Sequence, residues 1–114
     1  MNDDDLDRLR AVGTEVSIGA GQVLIEPRQA GAGLFVILEG DVVVEAPEGT
    51  RELGPGAVIG ERAMFSEDGT RTARVRAIGE LKVLAVDRSH VEQLCGDDPE
   101  LARRLQDAAA LEQA

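Results

Sequence analysis

The stretch GLFVILEGDVVVEA, residues 33–46, decides the fold. Two apolar runs rich in β-branched residues flank Gly40-Asp41, a pair that is typical of two-residue hairpin loops. Glycine in such a loop adopts a positive φ that other residues resist. The stretch therefore predicts two strands, near residues 34–39 and 42–46, joined as a hairpin.

The same pattern of short strands and turns extends over the segment from Gly13 to Val86. Short apolar runs alternate with turns that contain glycine, and Gly54-Pro55-Gly56 is a second sharp reversal. Many short strands at close spacing indicate a mainly β protein, an antiparallel β-sandwich or jelly-roll barrel. Further strands are predicted near residues 15–18, 22–26, 51–53, 57–60, 71–78 and 81–86.

Helix signals flank this β-rich segment. Asp87 can cap a short helix that continues to Cys95, and Asp98-Pro99 supplies a cap and a first-turn proline for another helix. Near the amino terminus, the aspartates at positions 3–5 are interpreted as a solvated end that could also start a helix. The apolar residues of the last helix lie along one side and are Leu101, Leu105, Ala108 and Leu111. A single domain over 1–114 is predicted, with a jelly roll at about 13–86 and C-terminal helices at about 87–112.

The composition excludes several classes of protein. A content of 43% apolar and 30% charged residues is typical of a folded, soluble domain. Lysine and arginine total 12 against 22 aspartates and glutamates, and the net charge of −10 disfavours direct binding to nucleic acid or anionic lipid. The longest apolar run, residues 34–38, is too short to cross a bilayer, and the start MNDDDLDRLR is unlike a secretion signal. With Cys95 as the single cysteine, these features predict a cytoplasmic protein.

The segment RTARVRA, residues 71–77, alternates between arginines and smaller side chains. Alternate side chains of a strand point to opposite faces, and the charged Arg74 and Arg76 belong in water. The opposite face is therefore predicted to point inward, and it carries Ala73, Val75 and Ala77. Arg71 shares the parity of this inward face.

An inward-facing Arg71 needs an anion, because a buried charge without a partner loses several kcal/mol of hydration. Either Glu61 pairs with it permanently or an anionic ligand does. The planar guanidinium matches two phosphate oxygens at once, which favours a phosphate ligand where the site is open.

The residues before Arg71 supply further hydrogen-bonding groups. Gly60 lets the backbone turn sharply into ERAMF, which is predicted as one helical turn with unpaired N–H groups. The amides of Ala63 and Ala73 are not shielded by bulky side chains and can cradle a phosphate. Glu61 can accept hydrogen bonds from sugar hydroxyls. Together these groups suit a ribose phosphate.

Four motifs resemble the cyclic nucleotide-binding domain family, known from the bacterial catabolite activator protein and the regulatory parts of cyclic-nucleotide-dependent protein kinases and channels. They are GLFVILEGDVVV, LGPGAVIGE, RTARVRA and DRSHVEQLCGDDPELARRL, and the resemblance runs from about residue 21 to 105. IGERAMF followed by RTA resembles the family's phosphate-binding cassette. The resemblance implies a non-catalytic sensor domain whose regulatory ligand is cAMP or cGMP.

The resemblance also assigns roles to residues. Glu61, with Gly60, would hold the ribose 2′-hydroxyl, and Arg71 would hold the exocyclic phosphate oxygens. The hydroxyl of Thr72 can reach the phosphate or a guanine amino group, and Arg62 stands where relatives commonly have an apolar residue. Apolar walls for the base and phosphate-binding amides complete the predicted ligand-binding set, which comprises Ile59, Gly60, Glu61, Arg62, Ala63, Arg71, Thr72, Ala73 and Val75.

In relatives a C-terminal helix folds over the base and passes the signal onward, and residues 105–111 would occupy that place here. The resemblance therefore implies that ligand binding shifts the position of the C-terminal helix. Because the chain leaves no residues for a helix-turn-helix, its output is expected in a fused segment or a separate effector.

Two alternatives stay open. In a degenerate domain Glu61 and Arg71 would form a structural ion pair, and the chain would act as a structural or dimerisation module, pairing through its last helix without ligand. Metal-dependent cupin enzymes share this type of barrel but need a cluster of histidines, and His90 is the single histidine of the chain. Catalysis is therefore disfavoured.

Overall fold

A computed structural model of the chain describes residues 2–25, 33–47, 49–60 and 74–113, with side chains described through residue 107. These ranges contain eight strands. The strands are β1 Thr14–Ile18, β2 Val23–Ile25, β3 Gly33–Glu39, β4 Val42–Ala46, β5 Gly49–Leu53, β6 Val58–Ile59, β7 Arg74–Ala77 and β8 Leu81–Asp87. Three helices, all within the same ranges, are α1 Asp3–Val12, α2 Arg88–Asp97 and α3 Pro99–Gln113.

The strands form two four-stranded antiparallel sheets. Sheet I has the order β1-β8-β3-β6, and sheet II has the order β2-β7-β4-β5. β1 therefore pairs with β8, β2 with β7, β3 with β6 and β4 with β5. This nested order is that of a jelly roll, and it confirms the predicted antiparallel β-sandwich with flanking helices.

The connection at Gly40-Asp41 differs from the predicted hairpin. β3 lies in sheet I and β4 lies in sheet II, so these two strands do not pair and the hairpin prediction is wrong. Both edges of β3 are occupied, by β6 and β8, because its side chains are buried on both faces and such a strand belongs in the middle of a sheet. Gly40 does keep the predicted positive φ, at 91°. A Cβ there would lie 2.5 Å from the carbonyl oxygen of Glu80, so only glycine fits this corner between the sheets.

Sheet I carries an apolar core on each face because successive residues of a strand point to opposite sides. On its outer face it packs against all three helices, and Leu101 and Leu105 of α3 are fully buried there. The apolar stripe of the last helix is therefore core, as far as its side chains are described. Between the two sheets lies a second cluster, formed by Ile25, Ile37, Val42, Leu53, Ala57, Ile59, Val75, Ala77, Leu81 and Val83.

Local capping accounts for the ends of the helices. Asp87 caps α2 by accepting a hydrogen bond of 2.9 Å from the backbone N–H of His90, as predicted. The last helix begins at Pro99, which is also as predicted. Cys95 is half buried in α2, and burial raises the pKa of its thiol.

The amino-terminal aspartates are not simply a solvated end. They begin α1, whose first turn is closed by a capping box between Asn2 and Asp5. The Asp5 side chain is only 1% exposed, which contradicts the interpretation of this stretch as solvated. Asp3 and Asp4 are exposed.

Asp5 is buried because it belongs to an ionic cluster that joins α1 to α3. Arg104 donates to both of its carboxylate oxygens, from Nε at 2.7 Å and from Nη2 at 2.9 Å. Asp98 lies beside them and accepts from Arg8 at 2.9 Å and from Arg104 at 3.2 Å. The hydrogen bond from Arg104 is the main cause that lowers the pKa of Asp5. We call Asp5, Arg8, Asp98 and Arg104 the α1–α3 cluster.

Candidate ligand-binding site

The predicted site lies where the chain passes from sheet I to sheet II. Ile59 is the last residue of β6 in sheet I, and Gly60 follows it. The next residue that the structure describes is Arg74, the first residue of β7 in sheet II. Six of the nine predicted site residues fall outside the described residues: Glu61, Arg62, Ala63, Arg71, Thr72 and Ala73. Ile59, Gly60 and Val75 are described, and they can be placed.

Gly60 has a φ of 88°, in the left-handed region. Residues with a Cβ rarely adopt this conformation because the Cβ approaches the following carbonyl oxygen. The sharp turn that the sequence predicts at the end of β6 is therefore present.

Replacing Gly60 with alanine is expected to lower the free energy of unfolding by about 1–2 kcal/mol, the cost of the left-handed conformation for an L-residue. Urea denaturation measures this change. Gly79→Ala is a matched control, because a Cβ at Gly79 meets no atom within 4 Å and the φ of Gly79 lies outside the left-handed range. Equal effects of the two substitutions would contradict the conformational role of Gly60.

Ile59 and Val75 both point into the space between the sheets. Their exposures are 4% and 3%, and they belong to the same apolar cluster. In sheet II, Val75 lies opposite Val44 on β4 and opposite Ile25 on β2. In sheet I, Ile59 lies opposite Phe35 on β3. Val44 and Phe35 are only half buried, so this end of the interior presents apolar surface.

The alternation predicted along β7 agrees with the burial of its side chains. Val75 and Ala77 are buried, and Arg74 and Arg76 have the opposite parity. The two arginines are half buried rather than fully solvated, and Nη2 of Arg76 lies 3.7 Å from a carboxylate oxygen of Glu45 on the neighbouring strand. Along β7, the charged side chains thus lie on the outer face of sheet II and the apolar ones on its inner face.

Arg51 also shares the inner face of sheet II, and the sequence interpretation missed it. Its strand, β5, pairs with β4 so that Arg51 lies opposite Val44 and Leu53 lies opposite Val42. Leu53 is buried among the residues between the sheets, and Arg51 has the same parity. Arg51 is half buried, whereas Thr50 and Glu52 on either side are exposed. The alternation of TREL could have revealed this, since the arginine stands two residues from an inward leucine.

The strand β6 connects the two cores. Val58 points outward and packs in the same cluster as Leu101 and Leu105 of α3, while the next residue, Ile59, points inward. A strand of two residues therefore touches both the last helix and the wall of the candidate site.

His90 lies at the start of α2, where it is half buried. Among the residues that the structure describes, no three His, Cys, Asp or Glu side chains are grouped as a metal ion requires. Within the same part of the chain, no helix combines the length and apolar character needed to cross a membrane.

Known proteins share this sequence pattern and this arrangement. The family model described as "Cyclic nucleotide-binding domain" matches residues 15–98. A cyclic nucleotide-gated potassium channel of Mesorhizobium japonicum is 35% identical over 86 residues, which cover 75% of this chain and 24% of the channel. A cAMP-dependent protein kinase regulatory subunit of Dictyostelium discoideum is 33% identical over 98 residues, covering 78% of this chain and 30% of that subunit.

The fold also matches solved structures. The catabolite activator protein of Thermus thermophilus superposes with a TM-score of 0.81 at 22% identity, over 96% of this chain and 54% of that one. This likeness concerns the fold. The chain spans 24% of the channel and 30% of the kinase subunit that it matches in sequence.

Proposed function

Because the chain belongs to the cyclic nucleotide-binding domain family, we propose that it is a non-catalytic sensor that binds cAMP or cGMP between its two sheets. The observation that carries the proposal is the passage from β6 to β7. The chain leaves sheet I through a glycine with positive φ and enters sheet II on a strand whose odd-numbered residues, Val75 and Ala77, are buried. Arg71 has the same parity as these two residues.

The residue roles follow from this arrangement and from the chemistry of the ligand. Arg71 binds the exocyclic phosphate oxygens, which the planar fork of a guanidinium matches in a bidentate way. Glu61 accepts hydrogen bonds from the ribose 2′-hydroxyl, beside Gly60. Ile59 and Val75 form apolar walls for the base. The remaining members of the proposed site are Arg62, Ala63, Thr72 and Ala73.

Ligand binding changes the position of α3 through β6. A ligand that contacts the backbone at Gly60 also restrains Ile59, and Val58 beside it packs against Leu101 and Leu105. The ligand biases an equilibrium between helix positions by its different affinity for them. The resulting signal passes to a fused segment or to a separate effector.

The setting of the domain is also part of the proposal. We place the sensor in the cytoplasm, a reducing compartment that suits a chain with one cysteine. It forms a single domain, with the roll at about 13–86 and the C-terminal helices at about 87–112. The alternative function, dimerisation through the last helix without ligand, is less well supported, because Leu101 and Leu105 are buried in the core of their own chain.

Titration with cAMP and cGMP tests the function directly. A ligand present at 100 times its dissociation constant should stabilise the fold by about 2.7 kcal/mol, which raises the melting temperature. Calorimetry then gives the two affinities. The linear monophosphates AMP and GMP are the matched controls, because they share base and sugar and lack the cyclic ester. A melting curve that neither cyclic nucleotide moves at saturating concentration would reject the proposal in favour of the ligand-free alternative.

A further inference from the structure

A cavity of about 300 Å³ lies at the end of sheet I, where α1 leads into β1 and β8 leads into α2. We call it the end cavity. Thr14 and Asp87 contribute polar side chains to it. Its apolar lining residues are Val12, Leu34, Phe35, Ala85 and Val86. Ligand pockets span about 300–1,000 Å³, so the end cavity suits a small molecule.

The pairing of β8 explains why space remains at this end of the sheet. Thr14, the first residue of β1, pairs with Ala85 on one edge of β8. On the other edge, Gly33 of β3 pairs with Asp87, so β8 extends beyond its pairing with β1. Before Gly13 the chain belongs to α1, which packs on the outer face of sheet I instead of continuing the strand. The end cavity lies beside this unpaired edge of β8.

Asp87 gives the end cavity a negative charge at its rim, where its side chain is 58% exposed. The hydrogen bond from the backbone N–H of His90 is the main cause that lowers the pKa of Asp87 from its ordinary value of 3.8, so the group is ionised at neutral pH. This N–H and Nδ1 of His90, both at 2.9 Å, and the Ser89 hydroxyl, at 2.8 Å, all lie against Oδ1. Within the described ranges Oδ2 has neither a hydrogen bond nor an ion pair, so it can accept from a ligand.

The end of α1 adds to the negative potential of the end cavity. The last carbonyl groups of a helix have no partner within the helix and carry the negative end of its dipole. α1 ends at Val12, which lines the cavity. The basic residue of its last turn, Arg10, pairs with Glu15 at 3.2 Å. Arg88, which follows Asp87, pairs with Glu92 at 3.0 Å. A positively charged ligand group is therefore favoured here.

We propose that the end cavity binds a small organic ammonium ion. The ammonium group donates to Oδ2 of Asp87, and the hydrocarbon part of the ligand packs on the apolar lining. The end cavity neighbours the proposed nucleotide site, because Phe35 lies opposite Ile59. The inference does not depend on the proposed function, since it uses neither Glu61 nor Arg71.

Two probes of similar size and different charge test the proposal. Benzylamine is protonated at neutral pH, and benzyl alcohol is its neutral counterpart. NMR titration of the full chain with benzylamine should give saturable shifts of the amide signals of Thr14, Ala85 and Asp87. Because a hydrogen bond to a charged group is stronger than a neutral one, the affinity for benzylamine should exceed that for benzyl alcohol roughly tenfold.

Asp87→Asn removes the charge and keeps a side-chain oxygen that can cap α2. It should lower the affinity for benzylamine roughly tenfold and leave the affinity for benzyl alcohol within about twofold. The matched control is Asp97→Asn, which removes the same charge from an exposed residue at the other end of α2. It should leave both affinities unchanged. Melting curves of both variants verify that they fold.

Several outcomes would overturn the inference. Equal affinities of the wild-type chain for the two probes, or no saturable shifts with benzylamine, would show that the end cavity does not select an ammonium group. Wild-type affinity in Asp87→Asn would exclude the carboxylate as its partner. An equal loss in Asp97→Asn would indicate a general attraction to the acidic surface. Benzylamine should bind whether or not cAMP or cGMP does, so this inference and the proposed function fail independently.

Discussion

Replacing Arg71 with alanine is expected to remove the rise in melting temperature that cAMP and cGMP cause, while the ligand-free protein still folds. Truncating one partner of a buried, hydrogen-bonded charge pair costs about 2–5 kcal/mol in binding. Because 1.4 kcal/mol corresponds to a factor of ten, the dissociation constant should rise by roughly 30- to 3,000-fold. Calorimetric titration measures the change, and both ligands should be affected equally because they share the phosphate.

Arg76→Ala is the control for this experiment. It removes the same charge from the outer face of the same segment and should leave the dissociation constants unchanged. If Arg71→Ala keeps the wild-type affinity, the phosphate is bound by other groups and the assignment of Arg71 is wrong.

Replacing Asp5 with alanine should lower the free energy of unfolding by about 2–4 kcal/mol. The substitution removes two hydrogen bonds from Arg104, each worth about 1.5–3 kcal/mol when a partner is charged, and it opens the capping box of α1. Burial of the carboxylate in the folded protein costs hydration free energy. This cost offsets part of the stabilisation by the hydrogen bonds and limits the loss of unfolding free energy on substitution. Urea denaturation followed by circular dichroism measures the difference. It is a large fraction of the stability of a domain of this size.

Asp3→Ala is the control for Asp5→Ala, because Asp3 lies in the same first turn but is exposed. Its effect should stay within about 0.5 kcal/mol. Arg104→Met tests the cluster from the other helix: it should also destabilise, because it leaves a carboxylate that is 1% exposed without its closest cation. If Asp5→Ala is as mild as Asp3→Ala, the α1–α3 cluster does not stabilise the fold.

The α1–α3 cluster also predicts a dependence on pH. The pKa of Asp5 is lowered from its ordinary value of 3.8, chiefly by the hydrogen bond from Arg104. The pKa of Asp98 is also lowered, chiefly by the hydrogen bond from Arg8. A carboxyl group with a lower pKa in the folded state stabilises the fold above its unfolded pKa and loses that contribution as the pH falls. The stability lost between about pH 5 and pH 3 should therefore be smaller in Asp5→Ala than in the wild type.

The sequence predicted the local features of the site better than its long-range ones. The turn at Gly60 and the inward direction of Val75 were predictable, because turn chemistry and strand alternation act over a few residues. The position of Arg51 opposite Val44 required the register between β4 and β5. The roles of Glu61 and Arg71 remain predictions, since these residues lie outside the described ranges.

Asp5 likewise combines a local feature that the sequence shows with a distant contact that it does not show. Its capping box with Asn2 can be read from residues three positions apart. Its pairing with Arg104 joins residues 99 positions apart, and no local pattern signals that contact. The sequence therefore indicated the start of a helix but not the ion pair with Arg104 that buries Asp5.

By itself the sequence determined which segments are strands, where the chain turns and which side chains share a face, because these properties depend on residues a few positions apart. Only the tertiary structure decided which strands pair. The run from Gly33 to Ala46 has the residues of a hairpin, yet β3 takes β6 and β8 as partners and β4 joins the opposite sheet. The physical reason is burial on both faces of β3: a strand covered by helices on one side and by a second sheet on the other needs a neighbour at each edge, and those neighbours come from distant parts of the chain.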